Sequence, residues 1–349
     1  VAHLGKERSQ TQLRYLMQLS RDVILLITHS GDFYTVDKVA EALLERGVQP
    51  FRLDTDKFPL QVQMEAYVSN RESIHRLKYG DRYINTQQVQ AVWMRRIWQP
   101  QISQDLAPQF QTACVREAMA ALNAFWDSLR EVRWIDNLGL ILAAENKLRQ
   151  LRVAKEVGLV IPLTLVTNNP QEVREFFYDV GGKMVAKLLT PISYSMKSSS
   201  FFFYTSLVKE EDLLDMETLR HSPMIFQEQV PKLRELRAVY VDGSIFVGAL
   251  NASNYAASTV DWRRTSVKDC TWEVHELPIE VVSRIKALMA SFGLMFGALD
   301  LIETPSGEYV FLEINPTGEW GMLERDLDYP ISTAIANALL GERQLGVRD

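Results

Sequence analysis

Gly297-Ala-Leu-Asp-Leu-Ile-Glu-Thr-Pro-Ser-Gly-Glu-Tyr-Val-Phe-Leu-Glu-Ile-Asn-Pro316 reads as two apolar strands joined by a Pro-Ser-Gly turn. With Thr304 opposite Tyr309, Asp300 faces Glu313 directly, and Asn315, two residues on, points from the same face. Carboxylates facing each other on a sheet repel, at about 0.2–1 kcal/mol. A hard cation reverses that sign. Three side-chain oxygens on one rigid face suit Mg²⁺, which keeps several waters and takes its other ligands from substrate phosphates. The alternative is a solvated hairpin whose acids face water. The Leu/Ile/Phe-rich strands disfavour it, because burying unpaired carboxylates is costly.

The whole chain sets the outer bounds. Its 349 residues can bury a large core in two or three domains or lobes, and 47% hydrophobic with 23% charged residues is ordinary for a globular protein. A net charge of −6 argues against broad nucleic-acid or anionic-membrane binding, so neither partner is expected. Cys114 and Cys270 are too few and too far apart for a disulfide scaffold or a zinc site; two buried free thiols in a reducing cytoplasm are expected. No apolar run is long enough to span a membrane. Residues 1–21 carry charges and no continuous apolar core, so they read as an N-terminal extension rather than a signal peptide.

Val23-Ile-Leu-Leu-Ile-Thr28 reads as a buried strand, Val36 to Arg46 as an amphipathic helix ended by Gly47, and Pro50-Phe-Arg-Leu-Asp54 as a second strand. This opening implies an α/β N-terminal lobe without a dinucleotide fingerprint, since no G-x-G-x-x-G is present. Alternation at Val62, Met64 and Ala66 predicts sheet, as do Tyr83 to Val89 and Val92 to Trp98. Helices are expected over 110–129, 148–157, 170–177, 210–219, 278–292 and 330–340. Met184–Leu189 and Phe201–Thr205 read as an antiparallel pair, and 224–228, 236–240 and 245–250 as further strands.

Lys187, in an apolar strand, needs an anionic partner or a solvated edge, and a phosphate satisfies the first. The serine-rich loop Ser193–Ser200, with Lys197, can close over phosphates. Gln227-Glu-Gln-Val-Pro231 ends a buried strand and can offer backbone groups to an adenine edge, and Glu235 can accept from ribose hydroxyls. Arg237, two residues on, projects to the same side as Glu235 and can reach a phosphate.

Asp300, Glu313 and Asn315 within Glu-Ile-Asn-Pro resemble the metal hairpin of the ATP-grasp carboxylate–amine ligases. The resemblance implies an α/β fold with α+β lobes, an ATP-grasp fold behind an N-terminal α/β pre-ATP-grasp domain. It implies ATP and Mg²⁺ as cofactors, Lys147 and Lys187 as nucleotide lysines, and Glu228, Val230 and Glu235 around adenosine. The Ser193–Ser200 loop departs from the glycine-rich loop of many such ligases. The expected domains are an extension (1–21), a pre-ATP-grasp domain (22–130), a central lobe (131–226) and a C-terminal lobe with the Mg²⁺ site (227–341).

Phe51-Arg-Leu-Asp-Thr-Asp-Lys-Phe-Pro59, Val92-Trp-Met-Arg-Arg96, Asp261-Trp-Arg263 and Glu313-Ile-Asn-Pro-Thr-Gly-Glu-Trp320 together resemble one subgroup. These are the ligases that cyclise ribosomal peptides of the microviridin or graspetide type. Gly318-Glu-Trp-Gly-Met-Leu-Glu324 is more similar to the amide-forming (macrolactam) members than to the ester-forming ones. The resemblance implies a precursor peptide with leader and core as partner, and leaves a homodimer open. A Glu or Asp side chain of the core is phosphorylated by ATP and the acylphosphate is attacked by a Lys amine. Arg237 orients phosphates, and Arg95, Arg96 and Arg263 are candidates for the core-peptide side. For Arg95 and Arg96 the alternative is structural pairing with Asp54 or Asp56. Glu211, Asp212 and Asp215 match the acidic patch that holds an arginine-containing leader; helical spacing would put Glu211 and Asp215 on one face. Three other readings remain: an ester-forming ligase, a small-molecule ATP-grasp ligase, and a nucleotide-regulated peptide-binding protein without ligase activity.

Overall fold

The computed structural model describes residues 21–190, 205–252 and 271–342. Lys197 with its loop, Arg263 and Cys270 lie outside them. The chain divides into two compact units, residues 1–139 with 330–349, and residues 140–329.

The first unit is built on a parallel sheet in the order β2-β1-β6-β7, with β1 Val23–Thr28, β2 Gln49–Asp54, β6 Val89–Met94 and β7 Arg133–Ile135. Ile24, Leu25, Leu26 and Ile27 are all fully buried, which is why this strand is an unbroken apolar run rather than an alternating one. Helix α1, Thr35–Leu44, buries Val36, Val39 and Leu43. Gly47 beyond it takes φ 72°, a left-handed conformation that costs glycine no Cβ clash. Helix α2, Pro108–Asp127, carries Cys114, a free thiol that is half-buried rather than buried as expected. An antiparallel sheet of β3 Val62–Val68, β4 Ser73–Tyr79 and β5 Arg82–Asn85 completes the unit. Strand β4 escaped the sequence reading because its buried residues, Ile74 and Leu77, lie three apart and mimic a helical period. The helix Ile331–Leu340 also packs here. Arg46 Nε donates to Asn337 Oδ1 at 2.9 Å, and Arg133 Nε donates to the Ala338 carbonyl at 2.5 Å.

The second unit holds two antiparallel sheets. The smaller runs β10-β9-β11-β8, with β8 Thr164–Thr167, β9 Met184–Lys187, β10 Ser206–Val208 and β11 Met224–Glu228. Val173 and Phe177 of the helix Pro170–Asp179 pack with Met184, Val208, Leu213, Leu219 and Phe226. The larger sheet runs β14-β13-β12-β15-β16, with β12 Arg234–Val241, β13 Ser244–Asn251, β14 Glu273–Val274, β15 Phe296–Glu303 and β16 Tyr309–Asn315. One face buries Leu236, Ala238, Leu299, Leu301, Phe311 and Ile314 under α3 Lys147–Glu156 and α4 Ile279–Phe292. Each large side chain so buried is worth roughly 1.5–3 kcal/mol. Alternation then sends Glu235, Arg237 and Asp300 to the opposite face.

Two further sequence expectations need correction. Tyr309 pairs with Glu303 rather than Thr304, yet Asp300 does face Glu313, because a one-residue β-bulge lies between Asp300 and Leu301 in the β15–β16 register. The bulge lets Phe311 and Ile314, three apart, both enter the core. The segment Glu210–His221 is 3₁₀ rather than α, with non-helical φ −103° and ψ 16° at Asp215. The one-face argument for Glu211 and Asp215 therefore fails, since it needs an unbroken α period.

Among the described residues, no helix is long and apolar enough to cross a membrane.

Candidate metal and nucleotide site

The polar face of the larger sheet gathers most of the expected metal and phosphate residues. Arg237 and Asp300 are cross-strand partners, and so are Asp300 and Glu313. Arg237 Nη1 lies 3.2 Å from Asp300 Oδ1. Lys147, at the start of α3, brings Nζ to 2.8 Å from Glu313 Oε2, and Asn315 Nδ2 donates to Glu313 Oε1 at 3.3 Å. Asn146 caps α3 by accepting from the Arg149 N–H, which fixes where Lys147 emerges. The two carboxylates are thus held close by two cations.

Arg237 is 6% exposed, yet its Nε and Nη1 donors make no hydrogen bond among the described residues. The ion pair to Asp300 has the distance but not the alignment of a hydrogen bond. A buried unsatisfied donor costs about 1–3 kcal/mol, so an anion that supplies acceptors there is favoured. Two carboxylates and an amide oxygen on one sheet face fit Mg²⁺, which draws its remaining ligands from phosphates and water. Among the described residues, no group of three or more His, Cys, Asp or Glu side chains forms a metal cage.

Gly318 holds Asn315 in place. A Cβ there would collide with Ala298 Cβ and lie 2.9 Å from Asn315 Cβ, so only glycine permits the turn to fold back on the strand. Its N–H donates to the Asn315 carbonyl at 3.0 Å. Sequence reading gave no separate signal for this role beyond the Asn-Pro-Thr-Gly run.

The nucleotide residues lie nearby in the same unit. Lys147 Nζ also approaches the Leu188 carbonyl at 3.4 Å, just past Lys187 at the end of β9. Met184 and Ala186 face the small-sheet core, so Lys187 points from the other side. Glu228 is partly engaged: Oε1 accepts from the Leu163 N–H at 2.9 Å. Val230, half-buried, lies just beyond the end of β11. Glu235 pairs with Lys232 at close range.

The remaining candidates lie on other elements of the two units. Arg95 has 0% side-chain exposure, and its Nε lies 3.8 Å from Asp32 Oδ2 and donates to Thr35 Oγ1 at 3.5 Å. Through Asp32 and Thr35 it braces the loop after β1. Asp54 instead accepts from the Tyr79 hydroxyl at 2.9 Å; burial and this bond push the phenol up to about 12. Asp56 accepts from the Ser30 N–H and Oγ. Arg96 is half-buried, two residues before Trp98, whose ring stacks on His29 at 3.7 Å. Burial lowers the His29 pKa, so this stack favours a neutral imidazole. Glu211 pairs with Lys209 Nζ at 2.9 Å, and Asp212 Oδ2 caps the Lys209 N–H at 2.8 Å.

A family profile described as the MvdD pre-ATP grasp domain matches residues 23–141. The crystal structure of macrocyclase MdnB from Microcystis aeruginosa MRC is 54% identical over 91% of this chain and 99% of its own, with TM-score 0.78. Macrocyclase MdnC from the same organism, bound with precursor peptide MdnA, is 34% identical over 91% and 99%, with TM-score 0.81. A Chryseobacterium gregarium RiPP-associated ATP-grasp ligase, in complex with ADP and a leader and core peptide, is 28% identical over 93% and 98%, with TM-score 0.85. Comparison with curated proteins gives no match.

Proposed function

The chain belongs to the ATP-grasp ligases that macrocyclise ribosomal peptides of the microviridin or graspetide type, and on that premise we propose that it closes ω-amide rings between Glu or Asp and Lys side chains of a precursor peptide. It is a ligase that uses ATP and Mg²⁺. The carrying observation is the convergence of Asp300, Glu313 and Asn315 with Lys147 and the unsatisfied Arg237 donors on one sheet face.

A core carboxylate attacks the γ-phosphorus of ATP, giving an acylphosphate and ADP. A Lys amine then attacks the acyl carbon, forms the amide, expels phosphate and loses a proton. When bound, Mg²⁺ neutralises charge on the phosphates. Asp300, Glu313 and Asn315 would hold it, while Arg237, Lys147 and Lys187 orient phosphate oxygens. Glu228, Val230 and Glu235 would flank adenosine, with the nucleotide held between the two sheets and the central and C-terminal lobes dividing near 226/227. Arg96 and Arg263 are proposed to steady the core carboxylate. Arg95 acts behind Arg96, as support. No covalent enzyme nucleophile is needed. The working compartment is the cytoplasm, where ATP is supplied, and the proposed assembly is a homodimer.

The deciding experiment is the intact mass of a microviridin-type precursor incubated with this protein, ATP and Mg²⁺, with and without its leader. The expected result is loss of one water per ring, with fragmentation locating Lys–Glu or Lys–Asp links. Links at Ser or Thr would replace the amide by the ester. An unchanged precursor, with ATP consumed on free amino acids, would favour the small-molecule ligase.

The leader contact is proposed at Glu211, Asp212 and Asp215. Exchanging charge alone, in Glu211→Gln with Asp212→Asn, should weaken leader binding by about threefold to tenfold while sparing basal ATP hydrolysis, as for exposed ion pairs. Unaltered affinity in a titration would sink this assignment.

A further inference from the structure

Among the described residues strand β16 is the last of its sheet, so no further described strand pairs with the outward backbone groups around Glu313 and Asn315. Helix α3 fills that gap. Gln150 lies one turn beyond Lys147, on the same helical face, and is 1% exposed. Its Oε1 accepts from the Ile314 N–H at 2.8 Å. Its Nε2 donates to the Ile314 carbonyl at 2.8 Å and to the Ala144 carbonyl at 2.6 Å. One primary amide thus satisfies both backbone groups of the residue between the two proposed metal ligands, as a paired strand would.

This matters because of the bulge. The ladder to β15 slips by one residue immediately beside Glu313, so pairing on that side alone fixes the strand's rotation poorly. Upstream, the Phe311 N–H donates to the Val160 carbonyl at 2.8 Å. Downstream of the slip, Gln150 is the contact that clamps the outer edge. We propose that Gln150 is a positioning residue for the metal site: it holds Ile314 so that Glu313 and Asn315 leave the strand toward one ion. The proposal rests on reading those two residues as metal ligands.

The test uses the full chain with ADP and Mn²⁺, the bound ion being read by electron paramagnetic resonance, together with amide exchange at Ile314 in the metal-free protein. Gln150→Met keeps the volume and removes all three bonds. It should speed Ile314 exchange and weaken Mn²⁺ by about 10- to 100-fold, the usual effect of losing an outer-shell partner. Leu151→Ala, its buried neighbour on α3, controls for helix stability and should leave Mn²⁺ affinity unchanged. Equal weakening by both variants would reduce Gln150 to ordinary packing and overturn the proposal, as would Gln150→Met with faster exchange but unaltered affinity. Should Gln150→Met not fold, Gln150→Glu decides: it retains the acceptor for the Ile314 N–H but, ionised, has no donor for the carbonyl. Weakened Mn²⁺ binding by that variant supports the clamp, and unchanged binding rejects it. An unaltered protein that takes up no Mn²⁺ with ADP would overturn the metal reading itself, and the clamp with it.

Discussion

Glu313→Gln should abolish ring formation, lowering the rate by about 10³-fold or more, while the protein stays folded. Both halves follow from the site. The substitution removes one of two facing carboxylates, so the ion loses a charged ligand as phosphoryl charge develops; losing one preorganised electrostatic contact already costs about 10²–10³ in rate. Folding is a different matter. Glu313 pairs with Lys147, whose side chain is 22% exposed. Water can take over part of that role, so the change in stability should stay within about 1 kcal/mol. Ring formation by mass spectrometry and thermal unfolding of the same sample separate the two. Normal cyclisation by this variant would remove the metal from Glu313.

Arg237→Met carries the second large effect, and its signs differ. ATP turnover should fall by about 10²–10³-fold, because a guanidinium aimed at transferring phosphate is lost. Stability should hold or rise slightly. Among the described residues Arg237 leaves buried Nε and Nη1 donors unsatisfied, each a liability of about 1–3 kcal/mol that methionine removes. Against this stands the lost attraction to Asp300, whose side chain is 22% exposed and so partly served by water. A residue whose loss harms turnover and not folding is held for its ligand. Strong destabilisation with intact turnover would make Arg237 a structural ion-pair partner instead.

The two variants probe opposite charges of one arrangement. The cations Arg237 and Lys147 stand against Asp300 and Glu313. The two carboxylates therefore do not face each other bare.

Much of this was legible in the chain. The run Ile24 to Ile27 is apolar at every position because parallel strands are covered on both faces. Glu313 and Asn315 could be assigned to one face because alternation has a period of two, while Asp300 reaches Glu313 through a bulge that the alternation does not show. The chain order of lysines, carboxylates and arginine carried the family. Arg95 was less legible: a charged residue in a strand run reads as a ligand contact until its neighbours are known, and Asp32 proves to be one of them. The acidic stretch at 210–219 looked like an α-helix, but Asp215 breaks its period.

The sequence by itself determined that Glu313 and Asn315 share one face of the proposed metal site, since side-chain alternation is a local property of the backbone; the bulge decided that Asp300 stands opposite Glu313. The tertiary structure decided how that face is held. The slip beside Asp300 is favoured only because a core awaits Phe311 on one side and Val160 offers a carbonyl to its N–H. Gln150 meets Ile314 only because α3 lies along the open edge of the sheet, 164 residues away in sequence. Such contacts depend on distant segments arriving together, and no local periodicity records them.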